Sequence, residues 1–250
     1  MRELIVSRDN TLIKLAIRLA SSRSVRRENG MFLCDGISLL PEALKHGVEL
    51  IAILCAEKME LPSLPNGIRV VELPERLMHK VSPTETPRGL VFLCRLPSTA
   101  WRGFQEGGLY LLLDRVQDPG NVGSILRSAS AFSATGVLLG PGCADPFSPK
   151  TVRAAMGAAF QPFIFETQDP AGVLRDCPLP IYAAILSDHA KDIRDVDLSS
   201  GVILLGNEGA GLSTSFIERA DAHIKIPMDA ASQSLGVAVA AAILLYVSRN

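Results

Sequence analysis

Leu111, Leu112 and Leu113 form a wholly apolar run that ends abruptly in Asp114-Arg-Val-Gln-Asp-Pro-Gly-Asn-Val-Gly-Ser-Ile-Leu-Arg127. The leucine run reads as a buried strand, and Val122, Ile125, Leu126 and Ala129 then recur at helical spacing. Between them lies Asp118-Pro119-Gly120-Asn121, made of residue types that start helices. A strand passing through a polar, glycine-spaced turn into a helix is the repeating unit of α/β folds. Its loop lies at the carboxyl end of the strand, where such folds bind ligands. Asn121 and Arg127 are expected at that end.

Two later segments repeat the pattern. Val202-Ile-Leu-Leu-Gly-Asn-Glu-Gly-Ala-Gly211 is an apolar strand entering a glycine-rich loop, and Ile226-Pro-Met-Asp-Ala-Ala-Ser-Gln-Ser-Leu235 runs from a strand into a loop that opens a helix. Three such loops imply one composite pocket. The glycines of Gly206-Asn-Glu-Gly-Ala-Gly211 are not spaced as G-x-G-x-x-G, and no Lys-Ser or Lys-Thr follows, which disfavours a dinucleotide or triphosphate site.

The chain has 250 residues, enough for one large or two modest domains. A net charge of -1 gives no whole-protein argument for nucleic acid, so any basic surface for one must be local. Cys34, Cys55, Cys94, Cys143 and Cys177 are odd in number and form no C-x-x-C pair, suggesting neither disulfides nor zinc. His46, His79, His189 and His223 fall in no ligand-like spacing, so no metal is expected. The N-terminus lacks the apolar core of a signal peptide. The longest apolar run, residues 235–247, is too short to cross a bilayer, and a cytoplasmic protein is expected.

Up to about Leu96 the pattern is that of a small α/β unit. Leu12, Leu15, Ala16 and Leu19 mark a helix, residues 31–34 and 51–55 read as strands, and residues 37–46 as the helix between them. Residues 97–108 are polar and turn-rich and read as a linker, leaving 1–96 and 109–250 as two domains. Trp101, within the linker, is expected to pack. Strands near residues 110–113, 136–139, 163–165, 181–185, 202–205 and 224–226 alternate with helices. This predicts a mainly parallel sheet covered on both faces. Ser148-Pro149 should open one helix, and the last helix is expected from about Ser234 to Val247.

In order, spacing and position, the three loop segments resemble motifs 1, 2 and 3 of the SpoU family of RNA ribose 2′-O-methyltransferases, within the SPOUT superfamily. The resemblance implies an α/β fold with a deep trefoil knot near the C-terminus, S-adenosylmethionine as cofactor, and a homodimer that completes the site. The N-terminal region is similar to the L30e-like domain that binds RNA in ribosomal members. On this resemblance Arg127 matches the motif arginine that serves the target ribose; a guanidinium does not readily lose its proton, so gripping an RNA phosphate is its favoured task. Asn121 matches the asparagine that holds the arginine and loop, although its residue type alone favours a helix cap. Glu208 matches the motif 2 glutamate, or is a loop carboxylate making a structural contact. Ser234 matches the motif serine, and is equally suited to capping the last helix. Leu205, Gly206, Gly209, Ile226, Met228 and Leu235 would surround the cofactor, with backbone groups supplying the polar recognition.

The chain departs from the family at Ser234-Leu235-Gly236, where relatives read Ser-Leu-Asn; Ala230 and Ala155 are milder changes from glycine and serine. Arg2, Arg8, Lys14, Arg18, Arg23, Arg26 and Arg27 concentrate charge near the N-terminus, and Arg23, Arg26, Arg27, Arg88 and Arg153 are the expected phosphate contacts, with a solvated helix face as the alternative. The leading expectation is methylation of 23S ribosomal RNA. The alternatives are an RNA-binding protein that keeps the fold without turnover, for which Gly236 speaks, and a transfer-RNA methyltransferase.

Overall fold

The computed structural model describes residues 2–229 and 234–249. The chain forms two compact units, residues 1–97 with 145–161, and residues 98–144 with 162–250.

The first unit begins with β1 (Glu3–Leu4), α1 (Thr11–Ser21), α2 (Arg23–Asn29), β2 (Met31–Asp35), α3 (Leu39–Lys45), β3 (Leu50–Ala56), β4 (Arg69–Leu73), α4 (Glu75–Val81) and β5 (Leu90–Arg95). Asn10 opens α1 by accepting the Leu12 N–H at 2.9 Å, and Gly30 closes α2 in the left-handed region at φ 59°. The strands lie in the order β1-β4-β3-β5-β2, with β5 antiparallel to both neighbours. Ile13, Ala16 and Leu19 of α1 and Leu77, Met78 and Val81 of α4 bury their apolar stripes against Leu33, Leu54, Val71 and Leu93.

The second unit starts with β6 (Leu109–Leu113), α5 (Pro119–Ala131) and β7 (Gly136–Leu139). The chain then contributes α6 (Pro149–Ala155) and a 3-10 turn (Met156–Phe160) to the first unit. There Phe147 meets Phe32 with ring centroids 5.2 Å apart. Ser148 caps α6 and Pro149 occupies its first turn, as their residue types require. The second unit resumes with β8 (Ile164–Glu166), α7 (Pro170–Arg175), β9 (Ile181–Ala184), β10 (Lys191–Asp192), β11 (Gly201–Leu205), α8 (Thr214–Arg219), β12 (Ala222–Lys225) and α9 (Val237–Val247).

Its seven strands lie in the order β10-β12-β9-β11-β6-β7-β8 and every pairing is parallel. The five residues of β6 and those of β11 are all buried, which explains their unbroken apolar runs. Residues 98–108, expected to link two domains, pack onto this unit. Glu166 N–H donates to the Thr99 carbonyl at 2.9 Å, covering the edge at β8. Trp101 packs edge-on against Phe104, Tyr110 and Phe165, with centroids 4.8 to 5.6 Å apart. The cysteines are free, and burial pushes the Cys34, Cys55, Cys143 and Cys177 thiols up. Among the described residues no helix is long and apolar enough to cross a membrane, and no group of three His, Cys, Asp or Glu could hold a metal ion.

Candidate active site

In a wholly parallel sheet all carboxyl ends share one edge, so loops remote in sequence converge there. Strands β12, β9, β11 and β6 are neighbours in that sheet. At the ends of the first three lies a cavity of about 510 Å³, within the range of sites that enclose a small organic ligand. Leu205, Gly206, Gly209, Ile226, Met228 and Leu235 all line it, as do Glu208 and Ser234. Ile185 and Leu186 after β9, Leu212, Ile217 of α8, and Ala240 and Leu244 of α9 complete much of the apolar wall. Sequence reasoning missed these six, because an apolar residue facing a cavity has the same local pattern as one facing a core.

Backbone geometry explains the glycine-rich loop. A Cβ on Gly206 would overlap the main-chain carbon of Gly211 and nitrogen of Leu212, so only glycine lets the loop fold back on itself. Asn207 and Gly211 exchange main-chain hydrogen bonds at 3.1 and 3.0 Å, and Gly211 turns through φ 69°. The Asn207 Oδ1 accepts the N–H groups of Gly209 and Ala210, both at 2.9 Å, while its Nδ2 donates to the Arg115 carbonyl at 2.8 Å. Nothing in the sequence singled out Asn207 beyond its place between two flagged residues.

Asp114, at the end of β6, anchors the same region. Its Oδ2 accepts from the Ser213 N–H at 2.8 Å and hydroxyl at 2.7 Å, and its carboxylate pairs with the Arg115 guanidinium at 3.0 and 3.1 Å. Burial alone would push this carboxyl up; Arg115 and Ser213 outweigh it and hold it below its ordinary range.

Helix α5 is capped by Asp118, whose Oδ1 accepts the Asn121 N–H at 3.0 Å, with Pro119 in the first turn. The capping role open to Asn121 is thus corrected: Asp118 stands three residues earlier, at the extended position a cap requires. Asn121 sits inside the first turn and its Nδ2 donates to Glu208 Oε1 at 2.9 Å. Burial would push the Glu208 carboxyl up. The Asn121 amide and the backbone N–H groups of Glu208, Gln117 and Asp118 outweigh it and hold the carboxyl below the usual glutamate range. Arg127 is exposed on α5 and does not line the cavity.

The third loop differs from expectation. Residues 230–233, Ala230 among them, lie outside the described residues. Helix α9 starts at Val237 rather than near Ser234, with Gly236 in the capping position at φ -57°. Ser234 therefore does not cap it. Gly236 lines the cavity and has no atom within 4 Å of where a Cβ would stand.

Among the residues expected on RNA, Arg26 is corrected. It is 4% exposed, its Nε and Nη2 donate to Asp145 Oδ2 at 2.8 and 2.5 Å, and its Nη1 donates to the Leu19 carbonyl. A guanidinium buried with its own carboxylate has no face left for a phosphate. Arg27 is half-buried, 5.7 Å from the Phe147 ring centre. Arg23, Arg88 and Arg153 are exposed. The segment bearing Arg88 is tied down by Ser82 and Thr84 hydroxyls, which donate to the buried Asp35 at 2.7 and 3.0 Å. Of the other N-terminal cations, Arg2 pairs with Glu72 and Lys14 with Asp9.

A wholly parallel α/β sheet with an apolar cavity at its carboxyl edge, rimmed by a self-folded glycine loop, defines a class of enzyme domain that holds an organic cofactor largely through backbone groups. The chain belongs to the SpoU rRNA Methylase family, which matches residues 108–246. Residues 10–91 match the MRM3-like substrate binding domain. The 23S rRNA (guanosine(2553)-2'-O)-methyltransferase RlmP of Bacillus subtilis is 34% identical over 92% of this chain and 92% of its own. The 23S rRNA (uridine(2479)-2'-O)-methyltransferase of Streptomyces viridochromogenes is 31% identical over 91% of this chain and 85% of its own. An AdoMet-bound rRNA methyltransferase from Sinorhizobium meliloti superposes with a TM-score of 0.85 at 30% identity, over 99% of this chain and 97% of that one. The SpoU methyltransferase AviRb from Streptomyces viridochromogenes, in complex with AdoMet, gives 0.83 at 27% identity over 96% and 97%.

Proposed function

We propose that the protein transfers a methyl group from S-adenosylmethionine to a ribose 2′-hydroxyl of 23S ribosomal RNA. The observation that carries this reading is the convergence of all six expected cofactor residues on one cavity, with Glu208 in its wall hydrogen-bonded to Asn121 on the helix that bears Arg127. The cavity suits the cofactor: Leu205, Ile226, Met228 and Leu235 offer apolar surface for adenine and the methionine chain, and the loop at Gly206 and Gly209 offers main-chain groups for the polar edges. When bound, S-adenosylmethionine supplies a methyl made electrophilic by its sulfonium, with no metal required.

Arg127 grips the RNA phosphate beside the target nucleotide with its exposed guanidinium fork. Asn121 and Glu208 hold the first turn of α5 against the cavity rim, so that helix and cofactor loop share one register. The hydroxyl proton passes to a phosphate, Ser234 or water. The first unit, through Arg23, Arg27, Arg88 and Arg153, docks the RNA backbone by shape and charge. A trefoil-threaded C-terminus, a homodimer and a cytoplasmic setting belong to the same reading. Val239 and Tyr246, seven residues apart and so on the same face of α9, are 52% and 57% exposed and support the dimer.

The direct test is transfer of labelled methyl to RNA stripped of native modifications, followed by nucleoside analysis. Label in a 2′-O-methylnucleoside that disappears with Arg127→Ala is the expected result. One observation favours a second reading, an RNA-binding protein without turnover: Gly236 leaves the cavity without the family's amide. A large gain in transfer by Gly236→Asn would support that reading.

A further inference from the structure

We infer that Asn207 is a positioning residue for methyl transfer: it holds the cavity rim in shape for the cofactor, acting through the backbone of residues 207–211. The inference rests on the methyltransferase reading. Each polar atom of the Asn207 amide is committed within the protein. Oδ1 accepts from Gly209 and Ala210, and Nδ2 donates to the carbonyl of Arg115 and more distantly, at 3.4 Å, to Glu208 Oε2. The side chain thus closes the loop on itself and ties it to the turn after β6.

That turn is itself unusual. Arg115 adopts φ 56°, a left-handed backbone that an L side chain takes only when its surroundings hold it there. Its carbonyl is thereby presented to Asn207, while its guanidinium is fixed by Asp114. Gly142 leaves room for it, since a Cβ there would stand 3.1 Å from Arg115 Cγ. The rim of the cavity is therefore built from β6 outward: Asp114 orients Arg115, the Arg115 carbonyl orients Asn207, and Asn207 sets Gly209 and Ala210, both of which line the cavity. Glu208, between Asn207 and Gly209, is carried into place for Asn121.

Asn207→Asp tests the role. The carboxylate keeps the shape and the acceptors for Gly209 and Ala210, yet sets oxygen against both the Arg115 carbonyl and the Glu208 carboxylate where an N–H had been. Binding of S-adenosylmethionine and S-adenosylhomocysteine is measured by calorimetry, with kcat and KM for cofactor and RNA measured separately. The variant should bind both cofactor forms on the order of tenfold more weakly, the scale of one lost hydrogen bond. Its cofactor KM should rise in parallel and its RNA KM stay within about twofold, a split that simple loss of folded protein does not produce. Unchanged cofactor binding in this variant, alongside binding by the wild-type chain, overturns the inference alone. Absence of binding by the wild-type chain overturns the methyltransferase reading and the inference with it. If Asn207→Asp does not fold, amide exchange in the wild-type protein decides. Slow exchange at Gly209 and Ala210 that slows further with S-adenosylhomocysteine supports the inference, and unprotected exchange at both overturns it.

Discussion

Asn121 and Glu208, 87 residues apart in sequence, are joined by an Nδ2 to Oε1 hydrogen bond of 2.9 Å. The bond makes the first turn of α5 a partner of the cavity rim, and it favours the charged carboxylate. A folded-state acid held below its ordinary value adds stability that is fully present above the unfolded value, about 4.3 for glutamate, and is lost as pH falls through the depressed one. The Glu208 titration should therefore fall at lower pH than in a peptide. In Asn121→Ala it should move upward, because burial then meets less opposition. A carboxyl-carbon NMR titration of both proteins checks the direction; an unmoved titration would show that the bond is not kept in solution.

Gly206 and Gly236 line one cavity but tolerate a methyl group very differently. Gly206→Ala drives a Cβ into the main chain of Gly211 and Leu212, which cannot swing aside as a side chain would. It should lose about 1–3 kcal/mol of unfolding free energy, the usual cost of overpacking. Gly236→Ala meets nothing within 4 Å and needs no unusual φ, so it should stay within roughly 1 kcal/mol, the scale of replacing a glycine cap by the less favoured alanine. Urea unfolding of the pair gives the comparison directly.

The Arg26 and Asp145 ion pair should matter for stability and not for RNA. Both groups are less than a tenth exposed, so Arg26→Ala leaves the buried Asp145 carboxylate with only the more distant Arg27 guanidinium, 4.0 Å away, as counter-ion. A loss of about 3–5 kcal/mol is expected. A variant replacing both by apolar residues of similar volume should recover much of it. Denaturant unfolding measures the first effect. RNA affinity at several salt concentrations should show an unchanged slope for the double variant, since no phosphate contact is removed.

Arg127→Ala should leave the fold almost untouched, within about 0.5 kcal/mol, because the side chain is exposed. Methyl transfer should fall by about 10²-fold or more, the scale of removing one charge-stabilising donor, with cofactor affinity unchanged. Calorimetry beside a labelled-methyl assay separates the two quantities; a parallel loss of cofactor binding would place Arg127 in the wrong task.

What the sequence made legible follows from how strongly each feature was forced. Residues 111–113 and 202–205 are buried on both faces, so their apolar runs could be little else than central strands, and the glycine loops after them marked the cavity. Asp118 and Asn121 are both good capping types three residues apart, and only the backbone distinguishes which is extended. Arg26 looked like its exposed neighbours because its partner Asp145 lies 119 residues away. The start of α9 was misjudged because Ser234 is the better capping type, whereas the backbone turns at Gly236. That residues 145–161 join the first unit has no local signature at all, since Phe147 and Phe32 meet only in the folded chain.

The loop that rims the cavity carries its own ladder, with Asn207 and Gly211 bonded to each other in both directions and Gly206 packed beneath them. A rim built this way is ordered before any ligand arrives, so binding loses little conformational entropy at that wall. The entropy is surrendered during folding instead. Mutations that loosen the loop will then weaken the fold and the affinity together, and selection for tight binding will be felt as selection on stability.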